Sequence, residues 1–139
     1  MAEAAPPTRP LPSVTEPDTG PFWAATKDHR LTYQWCDTCG KTVFFRRIVC
    51  PGCGGRDLET RESAGDGTIY TYTIMRQHMA PFFRSILPYV VAFIDLAEGF
   101  RMMAGVITDD VDSVAVGQKV RLEWEDHDEC AIPLFRIVS

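Results

Sequence analysis

The sequence predicts a mainly β chain in which a short N-terminal helix and a compact four-cysteine module precede a five-stranded barrel. Three observations carry this expectation. Cys36, Cys39, Cys50 and Cys53 form two C-x2-C pairs ten residues apart. From Thr68 onward the chain offers five short strand-like runs with no long helical pattern between them. With 45% hydrophobic residues and a mean hydropathy of -0.10, a chain of 139 residues has apolar material for one small domain or two modules.

Residues 1–20 contain Pro6, Pro7, Pro10, Pro12 and Pro17 with little apolar content, so they read as a flexible tail. In "TGPFWAATKDHRL", Thr19 is placed to cap a helix of two or three turns, with Pro21 in its first turn and Phe22 and Trp23 as an apolar anchor. This helix and the cysteine module make up residues 21–62, and "GGRDLETRESAGDG" reads as a closing linker or turn region. Residues 63–139 hold the barrel. "TIYTYTIM" alternates Tyr70, Tyr72 and Ile74 against Ile69, Thr71 and Thr73, and "PYVVAFIDL" and "FRMMAGVI" follow as a hairpin turning at Ala97, Glu98 and Gly99. "GQKVRLEWE" sets Val120, Leu122 and Trp124 against Lys119, Arg121, Glu123 and Glu125, and "PLFRIV" supplies the fifth strand. Five short strands after a separate module suggest a barrel of the OB type.

Thiolates at i and i+3 on a tight turn point at one ion, and Gly40 and Gly54 permit the left-handed backbone that closes each turn. Two such turns build a tetrahedral site whose closed shell leaves no position for reactive water. The metal therefore holds structure and does no chemistry. Zinc is the expected ion. Iron is its rival, since "CPGCG" is also like a rubredoxin turn. Cys130 is an odd fifth cysteine.

The ordered set "PFW", "CDTCG", "RRIVCPGCG", "GDGTIYTYT", "PYVVAFIDLAEGFRMMAGVI", "VGQKVRLEWE" and "IPLFRI" closely resembles the OB-fold proteins with a rubredoxin-like zinc ribbon that accompany thiolase-superfamily enzymes. The resemblance runs from Pro21 to Val138. It implies a non-catalytic subunit of a hetero-oligomer, beside a thiolase, a hydroxymethylglutaryl-CoA synthase or a lipid-transfer-protein-type aldolase of steroid side-chain degradation. Some members of that family are fused behind a MaoC-type enoyl-CoA hydratase, and the Pro-rich start is similar to such a linker. The resemblance also implies a coenzyme A thioester as the ligand of the complex, reaching the partner's active site past this protein. The family commonly has proline where this chain has Arg46.

The remaining residues fit that expectation. His29, His78 and His127 lie in three different segments, and no nucleophile, acid and base constellation is visible. The loop "MRQHMAPFFRSILPY" carries Met79, Phe82 and Phe83 beside Arg76 and Arg84 without one acid. It is either a partner contact, together with Phe22, Trp23, Phe44 and Phe45, or a small helix folded over the barrel mouth. In "KTVFFRR", Arg46 and Arg47 are candidate donors to acyl-CoA phosphates, the alternative being a solvated basic tip. The formal charge is -5, and from Met102 onward eight acids face three bases. That acidity argues against the alternative function of a single-stranded nucleic-acid binder using Tyr70 and Tyr72 as stacking platforms. No secretory signal or membrane-length apolar run is visible, so the expected compartment is the cytoplasm and no membrane partner is expected.

Overall fold

Thr19 stands at the N-cap of α1 (Gly20–Thr26) and Pro21 lies in its first turn, but the threonine side chain makes no capping bond. The Gly20 amide instead donates to the Glu16 carbonyl at 2.7 Å, so the preceding chain supplies the cap. Thr26 is fully buried, and its hydroxyl donates to Trp23 O at 2.6 Å and accepts from the Ala131 amide at 3.0 Å. One side chain thus ends the helix and ties it to the last strand. The computed structural model describes residues 5–138.

After α1 come β1 (Thr32–Cys36), β2 (Lys41–Val43) and β3 (Leu58–Glu62), which form an antiparallel sheet in the order β2-β1-β3. The β3 strand corrects the expectation of a linker there. "LETRE" buries no apolar face, so its pattern gives no strand signal, and its backbone is recruited by the free edge of β1 from Thr32↔Glu62 to Cys36↔Leu58.

The second sheet comprises β4 (Asp66–Met75), β5 (Tyr89–Leu96), β6 (Arg101–Ile107), β7 (Lys119–Asp126) and β8 (Ala131–Ile137), with α2 (Pro81–Ser85) between β4 and β5. Its order is β4-β5-β6-β8-β7, and β7 pairs back onto β4 to close the barrel expected from the sequence. All neighbours are antiparallel except β6 and β8, which run parallel. A β-bulge between Ile69 and Thr71 changes the alternation expected for β4. Ile69 faces Ile94, Tyr72 faces Ala92 and Ile74 faces Val90, all inner residues, whereas Tyr70 is the unpaired extra residue and is exposed. Arg101 lies over the Tyr70 ring at 3.4 Å from its centroid. Tyr70 and Tyr72 therefore look to opposite sides of the barrel wall and do not make one stacking platform.

The ribbon and the barrel share one core. Tyr33 on β1 stacks on Phe100 at 4.8 Å, Phe100 meets Phe44 beyond β2 at 5.0 Å, and Phe44 meets Phe22 of α1 at 5.6 Å. At the junction, Glu98 accepts from the Ser63 hydroxyl at 2.7 Å and from the Ala64 amide at 2.8 Å, fixing the β5–β6 turn to the crossing between modules. No helix among the described residues is long and apolar enough to cross a membrane.

Gly65, in this crossing, has φ +84°, and a Cβ there would lie 2.6 Å from Leu122 Cβ. Gly99 also has a left-handed φ, +103°, but open space around it. Gly65→Ala is expected to cost roughly 2–4 kcal/mol in urea unfolding, and Gly99→Ala only the backbone part, about 1 kcal/mol. Equal losses for the two would show that contact with Leu122 does not govern the junction.

Candidate functional site

The cysteine module is built by two equivalent turns. The Gly40 amide donates to Cys36 O at 2.8 Å and the Gly54 amide to Cys50 O at 2.9 Å, and both glycines take positive φ, +65° and +75°. The four sulfurs lie within 4.8 Å of one another, with Cys36–Cys53 at 3.6 Å and Cys39–Cys50 at 3.7 Å. A tetrahedron of zinc–sulfur bonds of about 2.3 Å has edges of about 3.8 Å, so the donor set fits a structural zinc ion. Cys36 and Cys50 are buried and Cys53 is exposed, which places the site at the surface end of the ribbon.

Cys39 and Cys50 are shifted in opposite directions. Hydrogen bonding with Cys36, then burial, pushes Cys39 up to about 12, whereas the backbone amides of Cys53 and Gly52 pull Cys50 down to about 6. A divalent cation among the sulfurs would favour their thiolate form. Cys130 is different. It is buried alone, and burial followed by the charge of Glu129 raises its thiol.

Next to the ribbon lies an apolar groove of about 620 Å³. Trp23 of α1, Phe44 and Phe45 of the ribbon tip, and Phe83, Ile86 and Tyr89 around α2 contribute to its walls, with β6 and β8 below. Phe22, expected as a contact, lines the groove too, but it is only 4% exposed and belongs mainly to the core. Phe45 is 54% exposed and Met103 57%. Segments far apart in sequence are thus gathered on one face.

Other candidates fall elsewhere. Arg76 pairs with Asp112 at 3.1 Å, and Arg84 turns back to donate to Met79 O at 2.9 Å. Met79 is 88% exposed beside them. Phe82 is half-buried and packs edge-on against Phe83, and part of the loop folds as the short helix α2, none of whose residues is buried. At the tip, the Gln34 side chain donates to Arg47 O at 2.9 Å and accepts from the Arg47 amide at 2.8 Å, leaving the Arg47 side chain exposed. Arg46 reaches Asp18 O at 3.3 Å.

The histidines do not converge on a reactive centre. His29 stacks on Trp124 and meets Asp126 at 2.5 Å, His127 meets Glu125 at 2.7 Å, and His78 accepts the Ala80 amide at 3.0 Å. Arg9 was hidden in what reads as a tail, yet it bonds Glu125 with two nitrogens, at 2.6 and 3.0 Å. A single arginine among prolines carries no periodic signal that could have marked it.

Comparison with known proteins agrees with this architecture. Residues 23–59 match the family described as the ChsH2 rubredoxin-like zinc ribbon domain, and residues 60–125 match the ChsH2 C-terminal OB-fold domain. A DUF35 domain-containing scaffold protein of Methanothermobacter thermautotrophicus is 36% identical over 106 residues, covering 70% of this chain and 79% of that protein. The chain belongs to the DUF35 family. A solved chain of an Ltp2-ChsH2(DUF35) aldolase superposes with a TM-score of 0.79 at 33% identity, covering 93% of this chain and 98% of that one. A protein of Thermomonospora curvata described as a probable enoyl-CoA hydratase alpha subunit is 35% identical over 130 residues, which are 92% of this DUF35 chain but only 40% of that relative's length.

The ribbon should hold one zinc per chain by elemental analysis. Binding must displace thiol protons, so zinc affinity should fall steeply as the pH drops and proton release should accompany loading. Cys36→Ser should cost most of the zinc and loosen β1–β3 while the barrel stays folded. A red iron form as the native state would overturn the assignment to zinc.

Proposed function

We propose that this chain is the non-catalytic partner subunit of a thiolase-superfamily acyl-CoA enzyme, docking through the apolar groove and completing its partner's acyl-CoA channel. The observation that carries the reading is the convergence of Trp23, Phe45, Phe83 and Met103 on one groove. Exposed aromatic and methionine residues gathered in a concave patch are the composition of an interface core. The arginine-bearing ribbon tip stands at the edge of that patch, and guanidinium groups suit the phosphates of coenzyme A. Arg46 and Arg47 are the residues assigned to that contact. The carbon–carbon chemistry belongs to the partner.

Similarity to a chain of the Ltp2-ChsH2(DUF35) aldolase supports an aldolase-type partner over a biosynthetic thiolase. The degradation of steroid side chains, implied by the sequence resemblance, is the setting we propose. The relative named as a hydratase alpha subunit supports a MaoC-type hydratase domain or subunit as a second associate.

Co-expression with a thiolase-fold aldolase tests this. The double variant Phe45→Asp, Met103→Asp places charge at two exposed groove positions and should weaken co-elution by roughly 2–4 kcal/mol with zinc content and thermal unfolding intact. Unchanged co-elution would remove the groove as the docking face. Arg46→Ala and Arg47→Ala should raise the KM of the complex for acyl-CoA several-fold while assembly persists. If KM does not move, the basic tip is a solvated face. The isolated chain should turn over no acyl-CoA substrate.

A further inference from the structure

The segment before α1 is mostly exposed, yet it is fastened at both ends. Near α1, a Cβ on Gly20 would lie 2.6 Å from Val14 O, so the two stretches of backbone are in close contact. At the other end Arg9 is only 15% exposed. Its guanidinium forks onto Glu125 of β7, and its central carbon sits 4.6 Å from the Phe82 ring centroid and 5.7 Å from that of Phe83. Burial works against the Glu125 charge, but the Arg9 hydrogen bonds, joined by His127, outweigh it and hold the carboxyl below its ordinary range. The ion pair is therefore intact at neutral pH, in a half-buried setting where it is less screened than at the open surface.

The helix that Arg9 touches has little else to hold it. α2 has five residues, no side-chain N-cap and no buried residue, and a single helical turn is unstable unless something packs on it. Phe83 leans on Tyr89 at 5.8 Å and on His78 at 4.7 Å, whereas among the described residues Arg84 bonds only within its own loop. Arg9 lines the groove, as does Phe83.

We propose that residues 5–19 form a strap which Arg9 bolts across the barrel, and that this bolt holds α2 in place as a wall of the groove. The strap joins three places distant in sequence: the chain before α1, the end of β7 and the loop between β4 and β5. Its importance for partner docking rests on the function proposed above, but the mechanical claim concerns this chain alone. Arg9 acts as a positioning residue. It presents the α2 phenylalanines in one pose, so that a partner meets a preformed wall and does not have to order the loop on binding.

Hydrogen exchange on the full chain loaded with zinc tests the strap. In Arg9→Ala and in Glu125→Gln, amides of residues 76–88 should exchange at least about tenfold faster, with amides of β5, β6 and the ribbon unchanged. Arg9→Lys keeps the charge but loses both the fork and the planar face, and should behave like the alanine variant. If acceleration is confined to residues 5–19, or absent, the bolt does not hold α2 and the proposal falls. The docking reading fails separately. Should the loop respond as expected while neither the wild type nor the variants bind a thiolase-fold enzyme, the strap stands and the docking face does not.

Discussion

The aromatic seam of Tyr33, Phe100, Phe44 and Phe22 is the contact on which the rest of this molecule depends. It joins the ribbon, the β5–β6 turn and the N-terminal helix in one apolar cluster that continues into the barrel. Without it the ribbon would be a separate module on a flexible crossing, and no groove could form between ribbon tip, α1 and α2. Buried aromatic pairs contribute beyond their area through edge and offset contacts, about 0.5–1.5 kcal/mol each. Here their greater effect is geometric, because each ring belongs to a different element.

Metal and seam divide the work of holding the ribbon. The cluster around the cysteines contains only Cys36, Val43 and Cys50 as buried members, with Cys39 and Leu58 packed against it. That is too little apolar material to stabilise two turns and a three-residue strand. The thiolate cage supplies the missing constraint at the exposed end, and the seam supplies it at the base. Gln34, buried on β1, then holds the Arg47 backbone with both ends of its amide and so aims the tip.

The polar connections follow the same logic of joining distant segments. Glu98 locks the crossing between modules, Thr26 locks α1 to β8, and Glu125 receives Arg9 and His127. Apart from His127, which is two residues from Glu125, each partner is close in space and distant in sequence. Such contacts give little local stability in water but select one arrangement among several that would bury similar area. They also account for where the histidines go: His29 and His127 are fastened to neighbouring carboxylates at one end of β7.

What the sequence by itself determined is whatever is written in local pattern. The cysteine spacing with its paired glycines, the period-two runs and the glycine turn at Gly99 depend on neighbours a few residues away, and each was legible as metal turns, strands or hairpin. What only the tertiary structure decided depends on partners far along the chain. β3 is a strand because β1 has an edge to offer, Tyr70 points outward because a bulge interrupts β4, and Phe82 is half-buried because Arg9 crosses from the far end of the chain to cover it. None of these leaves a periodic trace, since pairing, bulging and cation–aromatic contact are set by what closure of the barrel brings together and not by the residues on either side.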